Sequence, residues 1–230
     1  MDSDLKVAPR FFVLKKGLLR SRYDVEADTV EPVNIGEGAN CTRCGEPIGM
    51  LPWLPPFRVE LIIHGEALGD FTKIYGDDLL VSERFARAFC EEGLTGLKGF
   101  HAVEVTRVRQ KRRGSRPAQG LDYRVVTPCF GRAAVDLSRS RVRYGKPITC
   151  DECRSQGIES IYGFTLESDS WRGEDVFYPR GLLGVLTASE RFERFVARHG
   201  FTNIRLIPSE EYVWDPHAPH PLPGTKEGSA

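Results

Sequence analysis

No stretch of this 230-residue chain approaches the ~20 consecutive apolar residues that a membrane-crossing helix needs. Net charge is missing too. Thirty-two Lys and Arg balance 32 Asp and Glu, which argues against a dedicated nucleic-acid or membrane-surface binder and leaves room only for a local patch. The N-terminus also does not read as a secretory leader. Met1–Lys6 carries two aspartates, and the short apolar run Phe11–Leu14 stops at Lys15 and Lys16. The expected location is the cytoplasm, where thiols stay reduced, so the six cysteines read as ligands or core residues and not as disulfides.

Catalytic signatures are scarce. There are five histidines. His199 falls at an expected helix end, where the helix dipole accounts for it, and His64 and His101 lie in or beside strands. His217 and His220 form a His-x-x-His in what reads as a solvent-exposed tail. No Ser, Asp or Cys stands at a spacing that suggests a triad. Gly36-Glu37-Gly38 lacks the third glycine, the βαβ context and the lysine of a phosphate-binding loop, and reads as a loop before Cys41. The chain is not expected to be an enzyme.

What is present begins with a composition of 40% hydrophobic and 28% charged residues, enough for a real core. It continues with an internal echo. Ser82-Glu83-Arg84-Phe85 returns as Ser189-Glu190-Arg191-Phe192, 107 positions later, and the pair Cys41/Cys44 returns as Cys150/Cys153, 109 positions later. Two unrelated signals at nearly one offset predict a repeat. Each copy reads as a Cys-x-x-Cys turn, a strand (58–64 or 160–166), a short apolar run (79–81 or 182–186), a helix and a last strand (101–108 or 203–207). Val59, Leu61 and Ile63 alternate with Glu60, Ile62 and His64, the period of a half-buried strand. Ser82 and Ser189 are good helix N-caps, and Glu83 and Glu190 suit the positive helix end. Phe85 with Phe89, and Phe192 with Phe195 and Val196, form apolar stripes. Gly93 and Gly200 fit the position just past a helix.

The expected fold class is α+β, with two degenerate repeats, each a zinc-knuckle turn, short strands and one helix, joined by a shared four-cysteine zinc site. The expected divisions are an N-terminal strand segment (1–34), repeat 1 (35–109), a basic loop (110–120), repeat 2 (121–215) and a disordered tail (216–230).

Cys-x-x-Cys occurring twice carries the most chemistry. Zinc takes four soft or borderline ligands in a tetrahedron, and closed structural sites are commonly all thiolate. Cys41, Cys44, Cys150 and Cys153 are therefore the expected ligands of one structural Zn²⁺ per chain, with no position left for water. A redox dithiol would want a strand before and a helix after the motif. Here Pro47 and Gly49 follow the first pair and Pro147 precedes the second, so turns are expected. Cys90 and Cys129 lie outside the pattern and read as core cysteines.

The stretch Arg107–Arg116 is strongly basic and could contact phosphates, yet it has no interleaved aromatics for base stacking. Arg139, Arg141 and Arg143 alternate like the solvent face of a strand. The reading is a solvated loop, with a nucleic-acid-binding regulator that uses residues 107–116 kept as the alternative function.

Two knuckles of CXXCG type, each followed by a Ser-Glu-Arg-Phe helix, resemble the double-CXXCG motif proteins known mainly from myxobacteria. Cys41-Thr42-Arg43-Cys44-Gly45 matches in full. Cys150-Asp151-Glu152-Cys153-Arg154 keeps both cysteines and has Arg154 in place of glycine. Some members of that family are immunity proteins against toxins delivered on contact, and the segment from Asp78 to Gly96 also looks like that of other bacterial immunity proteins. The resemblance implies binding and not catalysis. The expected partner is a cognate protein toxin, with neither nucleic acid nor membrane.

Overall fold

The computed structural model describes residues 9–49, 51–74, 78–111 and 122–218. In the first half, β1 (Phe11–Lys16) and β2 (Val25–Thr29) precede a small hairpin, β3 (Asn34–Ile35) with β4 (Trp53–Leu54). Then come β5 (Arg58–Ile63), β6 (Phe71–Lys73), β7 (Leu79–Ser82), helix α1 (Glu83–Glu91), β8 (Leu97–Ala102) and β9 (Glu104–Gln110). The second half holds β10 (Tyr123–Ala134), β11 (Val142–Tyr144), β12 (Ile158–Tyr162), β13 (Val176–Arg180), β14 (Thr187–Ser189), helix α2 (Glu190–His199), β15 (Ile204–Pro208) and β16 (Val213–Trp214).

The largest sheet runs β15-β1-β14-β13-β10-β7-β6, with β8 also paired to β10, and curves into a nearly closed, barrel-like surface. Its pairings are antiparallel except for β10 beside β13. The twelve-residue β10 serves two neighbourhoods. Tyr123–Val126 pairs with β7, and Cys129–Ala134 runs along β13. Two small sheets, β2-β5-β9 and β11-β12-β16, complete the architecture.

Three layers follow from which faces are apolar. In β7, Leu79 and Val81 join the phenylalanines of both helices in one core, while Leu80 turns to the opposite face and joins Val59, Leu61 and Ile63 of β5. In β1, Leu14 lies with the helices, whereas Phe11 and Val13 pack with Ile161, Phe164 and Phe177 on the far side. The central sheet is thus buried on both faces, which is why β1 reads as the unbroken run Phe-Phe-Val-Leu without alternation.

This architecture overturns the α+β expectation. Among the described residues 41% are in strands and 11% in helices, so the protein is mostly β. Nor do the strands sort into two modules joined at a metal. β1, expected as a separate N-terminal segment, pairs with β14 and β15 of the second half, and β10 pairs with β7 and β8 of the first. The physical reason is burial. Six-residue apolar strands cannot bury two faces within a half-chain, and interleaving them produces one continuous sheet. The strand expected over 101–108 also breaks. The break falls at Val103: His101 and Ala102 end β8 in the main sheet, and Glu104–Val108 belong to β9 in a small one. The apolar run 182–186 is a turn ahead of β14, and of the strand expected over 160–166 only 160–162 are in β12. Residues 112–120 of the basic loop and 219–230 of the tail lie outside the described residues.

The Ser-Glu-Arg-Phe segments are an interlock. Ser82 Oγ accepts from Phe85 N and donates to Asp70 Oδ1 at 2.7 Å. Arg84 pairs with Asp70 and donates to the carbonyls of His199 and Gly200 at the end of α2, both 3.3 Å. Thr202, just past α2, donates its N–H and its hydroxyl to Asp70 Oδ2, each at 2.8 Å. The other helix repeats this in reverse. Ser189 Oγ accepts from Phe192 N and donates to Asp175 Oδ1 at 2.8 Å, and Arg191 reaches Asp175 at 3.0 Å and the carbonyl of Glu92 at 2.6 Å. Thr95, just past α1, donates its N–H to Asp175 at 2.9 Å. Each helix start therefore satisfies the carbonyls that the other helix leaves open at its end, and Phe85, Phe192 and Phe195 close the core between them.

Candidate metal centre

Each Cys-x-x-Cys sits in the loop of a two-stranded ribbon. β3 pairs with β4, and Gly36 N donates to Pro52 O at 2.9 Å, so residues 37–49 are held at the end of that ladder. β11 pairs with β12, and Gly145 N donates to Gly157 O at 2.9 Å, which places residues 146–156 likewise. Within the loops Gly45 N bonds Cys41 O and Arg154 N bonds Cys150 O, each at 2.9 Å. Both turns need a left-handed residue at that donor. Gly45 supplies φ 79° without strain, and Arg154 takes φ 53°. A non-glycine residue there costs about 1–2 kcal/mol. Arg154 offsets this through Nη1, which donates to Val135 O at 2.5 Å and to Glu167 at 2.7 Å.

All four expected ligands come together. The Sγ atoms of Cys41, Cys44, Cys150 and Cys153 lie within 4.8 Å of one another. Cys41 and Cys150 are 4.0 Å apart, and Cys44 and Cys153 are 3.5 Å apart. A disulfide would require ~2.05 Å, and all six cysteines are free. A tetrahedron with Zn–S bonds of about 2.3 Å has S···S edges of about 3.8 Å, between the two observed distances. The donor set therefore fits a tetrahedral thiophilic cation. Among the described residues no other group of three or more His, Cys, Asp or Glu side chains is placed to hold a metal.

The surroundings prepare thiolates. The backbone N–H groups of Arg43 and Cys44 point at the Cys41 sulfur and hold its pKa below the ordinary value. The N–H of Cys153, foremost, brings Cys150 down to about 7. Burial pushes Cys153 up to about 12, although Ser155 N donates to its sulfur at 3.4 Å. The N–H of Glu46 favours the Cys44 thiolate, but desolvation and the neighbouring thiols raise that pKa overall. Two of the thiols are thus lowered and two raised, so a cation that turned all four into thiolates would displace protons. Ile48 and Phe130 pack against Cys41, Cys150 and Cys153, which are buried, while Cys44 is exposed.

The two knuckles differ in anchorage. The second is tied to the central sheet through Gly181 N to Cys153 O at 3.1 Å, Arg180 to Glu152 O at 3.1 Å, and Arg154. Among the described residues, the first reaches the second through Ser155 Oγ to Pro47 O at 3.3 Å, an exposed Arg43–Asp151 pair at 2.8 Å, the packing of Ile48 against the cluster, and the sulfurs. Exposed pairs contribute little, so a cation at the sulfurs would be the main fastening of the first knuckle.

The other expected elements fall elsewhere. Cys90 is exposed on α1 and Cys129 is half-buried, which corrects the expectation of a core Cys90; the α1 stripe turns that position outward. His199 bonds Glu92, His64 bonds Glu26 at 3.0 Å, and His101 stacks on Phe57. In the described part of the basic stretch, Arg107 and Arg109 share Glu60, and Arg109 also reaches Asp28 at 3.9 Å. Asp70 and Asp175 were not singled out in the sequence, and Arg154 was noted only as the residue in place of the knuckle's glycine. A non-glycine residue at the position of Gly45 was the available signal for Arg154. Asp70 and Asp175 have serine and arginine partners 12 to 16 positions on, but their threonine partners lie across the fold. Among the described residues no helix is long and apolar enough to cross a membrane. Comparison with protein-family models and with curated proteins gives no match.

Proposed function

We propose that the protein is a zinc-stapled binding protein whose work is to neutralise a cognate protein toxin. The observation that carries the zinc is the four-sulfur cluster, with its cross-pairs at 3.5 and 4.0 Å. Four thiolates fill the shell of a tetrahedral metal and leave it no open position. The ion would fasten the first knuckle to the second and would supply no Lewis-acid chemistry. Activity then belongs to the protein surface. The toxin reading is supported by the resemblance of the two knuckles and their Ser-Glu-Arg-Phe helices to double-CXXCG proteins.

Two measurements test this reading. Metal analysis of the purified chain is expected to give about one zinc per chain, lost with Cys41→Ser or Cys150→Ser. One zinc retained after loss of both Cys150 and Cys153 contradicts the shared site. Co-expression with a toxin encoded beside the gene is expected to protect the cell and to yield a stable complex. Failure of both protection and binding ends the immunity reading and leaves the zinc result standing.

A further inference from the structure

Among the described residues, side chains of like charge face each other directly across a strand ladder in two places. On β2 and β5, Asp28 lies opposite Glu60. The chain answers that repulsion itself, since Arg109 pairs with Glu60 and reaches Asp28 at 3.9 Å. On β1 and β15, Lys15 lies opposite Arg205. Facing like charges destabilise a ladder, and here no described acidic side chain forms an ion pair with either residue. Burial, and then the charge of Arg205, lower the pKa of Lys15. This place disfavours a cation and gains from an anion.

Lys15 lines a cleft of about 740 Å³, a volume typical of small-ligand sites. Its Nζ stands 5.1 Å above the ring of Tyr212. Lys146 supplies a second ammonium group, and one acid, the exposed Glu46, also lines the space. Ser155 and Gln156 add neutral polar groups, and Ile158, Val185 and Trp214, the last 40% exposed, supply an apolar and aromatic wall. The cleft thus joins unanswered positive charge to an aromatic wall.

We propose that this cleft binds a small organic anion with an apolar or aromatic body, its acid group held by Lys15 and Lys146 and its body laid against Tyr212 and Trp214. This site stands apart from the toxin reading and does not depend on it.

The test uses the full chain and two probes of similar shape, the sulfonate 1-anilinonaphthalene-8-sulfonate and the uncharged N-phenyl-1-naphthylamine. The sulfonate is expected to bind at one saturable site with energy transfer from tryptophan, and to bind tighter than the uncharged probe. Lys15→Gln is expected to weaken the sulfonate at least about tenfold, which is about 1.4 kcal/mol, and to leave the uncharged probe unchanged. In the absence of ligand the same variant melts no lower than the parent, because it removes a like-charge pair. A Cβ on Gly157, which lines the cleft, meets nothing within 4 Å. Gly157→Leu therefore fills the space without a clash and is expected to abolish both probes' binding with the melting temperature retained. No saturable sulfonate binding by the parent, or equal binding by parent, Lys15→Gln and Gly157→Leu, overturns the proposal.

Discussion

Two devices fasten the halves of this chain to one another, and they differ in what they need from outside. The helix interlock is complete in itself. Asp70 and Asp175 are buried, and every charge brought in has a partner, an arginine and the polar groups of a threonine from the opposite half. The cysteine cluster is assembled with equal care and lacks a counter-charge of its own. Its backbone donors favour thiolates at Cys41 and Cys150, yet no cationic side chain contacts the sulfurs in any of the hydrogen bonds described above. One junction is finished by folding, and the other has the geometry to take a metal ion.

The largest expected effect separates the two devices. Cys153→Ser, or chelation of the parent, removes the metal and about 4 kcal/mol or more of stability. Amide exchange then rises in residues 41–48 and stays low at the helix ends. Uniform loss of protection would show that the two junctions are one cooperative unit. Asp175→Asn is expected to cost about 3 kcal/mol in denaturant melts, since it weakens several hydrogen bonds to a buried charge. Its metal content should equal the parent's, and a drop would erase the distinction drawn here.

Smaller changes sharpen the contrast within the metal site. Arg154→Ala is expected to cost about 2 kcal/mol, because it keeps a Cβ at positive φ and loses the contacts to Val135 and Glu167. Arg154→Gly should cost less, since it relieves the backbone while losing the same contacts. If the two variants melt alike, the left-handed conformation carries no strain. The smallest effect concerns Glu92, whose carboxyl His199 holds below its ordinary pKa. A depressed carboxyl stabilises the fold above its unfolded value of about 4.3 and loses that contribution as pH falls through the folded value. The stability gap between parent and Glu92→Gln should therefore be present at pH 7 and close in acid. A gap that persists at pH 2 would assign it to packing.

The sequence made one of these devices legible and half of the other. Four cysteines at two short spacings announce themselves, because the ligand chemistry is local to each pair. The helices were legible too, from Ser82 and Ser189 at their starts and the phenylalanines along one face. The partners were not. Nothing near Thr95 marks it as a donor to Asp175, eighty positions away, and nothing in Phe11–Leu14 says that it pairs with residues near 187 and 206. The α+β expectation failed for the same reason. Short strands such as Trp53–Leu54 and Val213–Trp214 are made by their neighbours and leave almost no periodic trace.

The placement of β1 sets an order of events in synthesis. Its strand partners lie at Thr187–Ser189 and Ile204–Pro208, so a ribosome must make almost the entire described chain before Phe11–Leu14 can be covered. Until then an apolar strand with both edges unpaired travels with the nascent chain, a natural site for capture by a chaperone or by a second unfinished copy. Moving this strand to follow Trp214 in a permuted gene would place it after its partners and shorten that exposure.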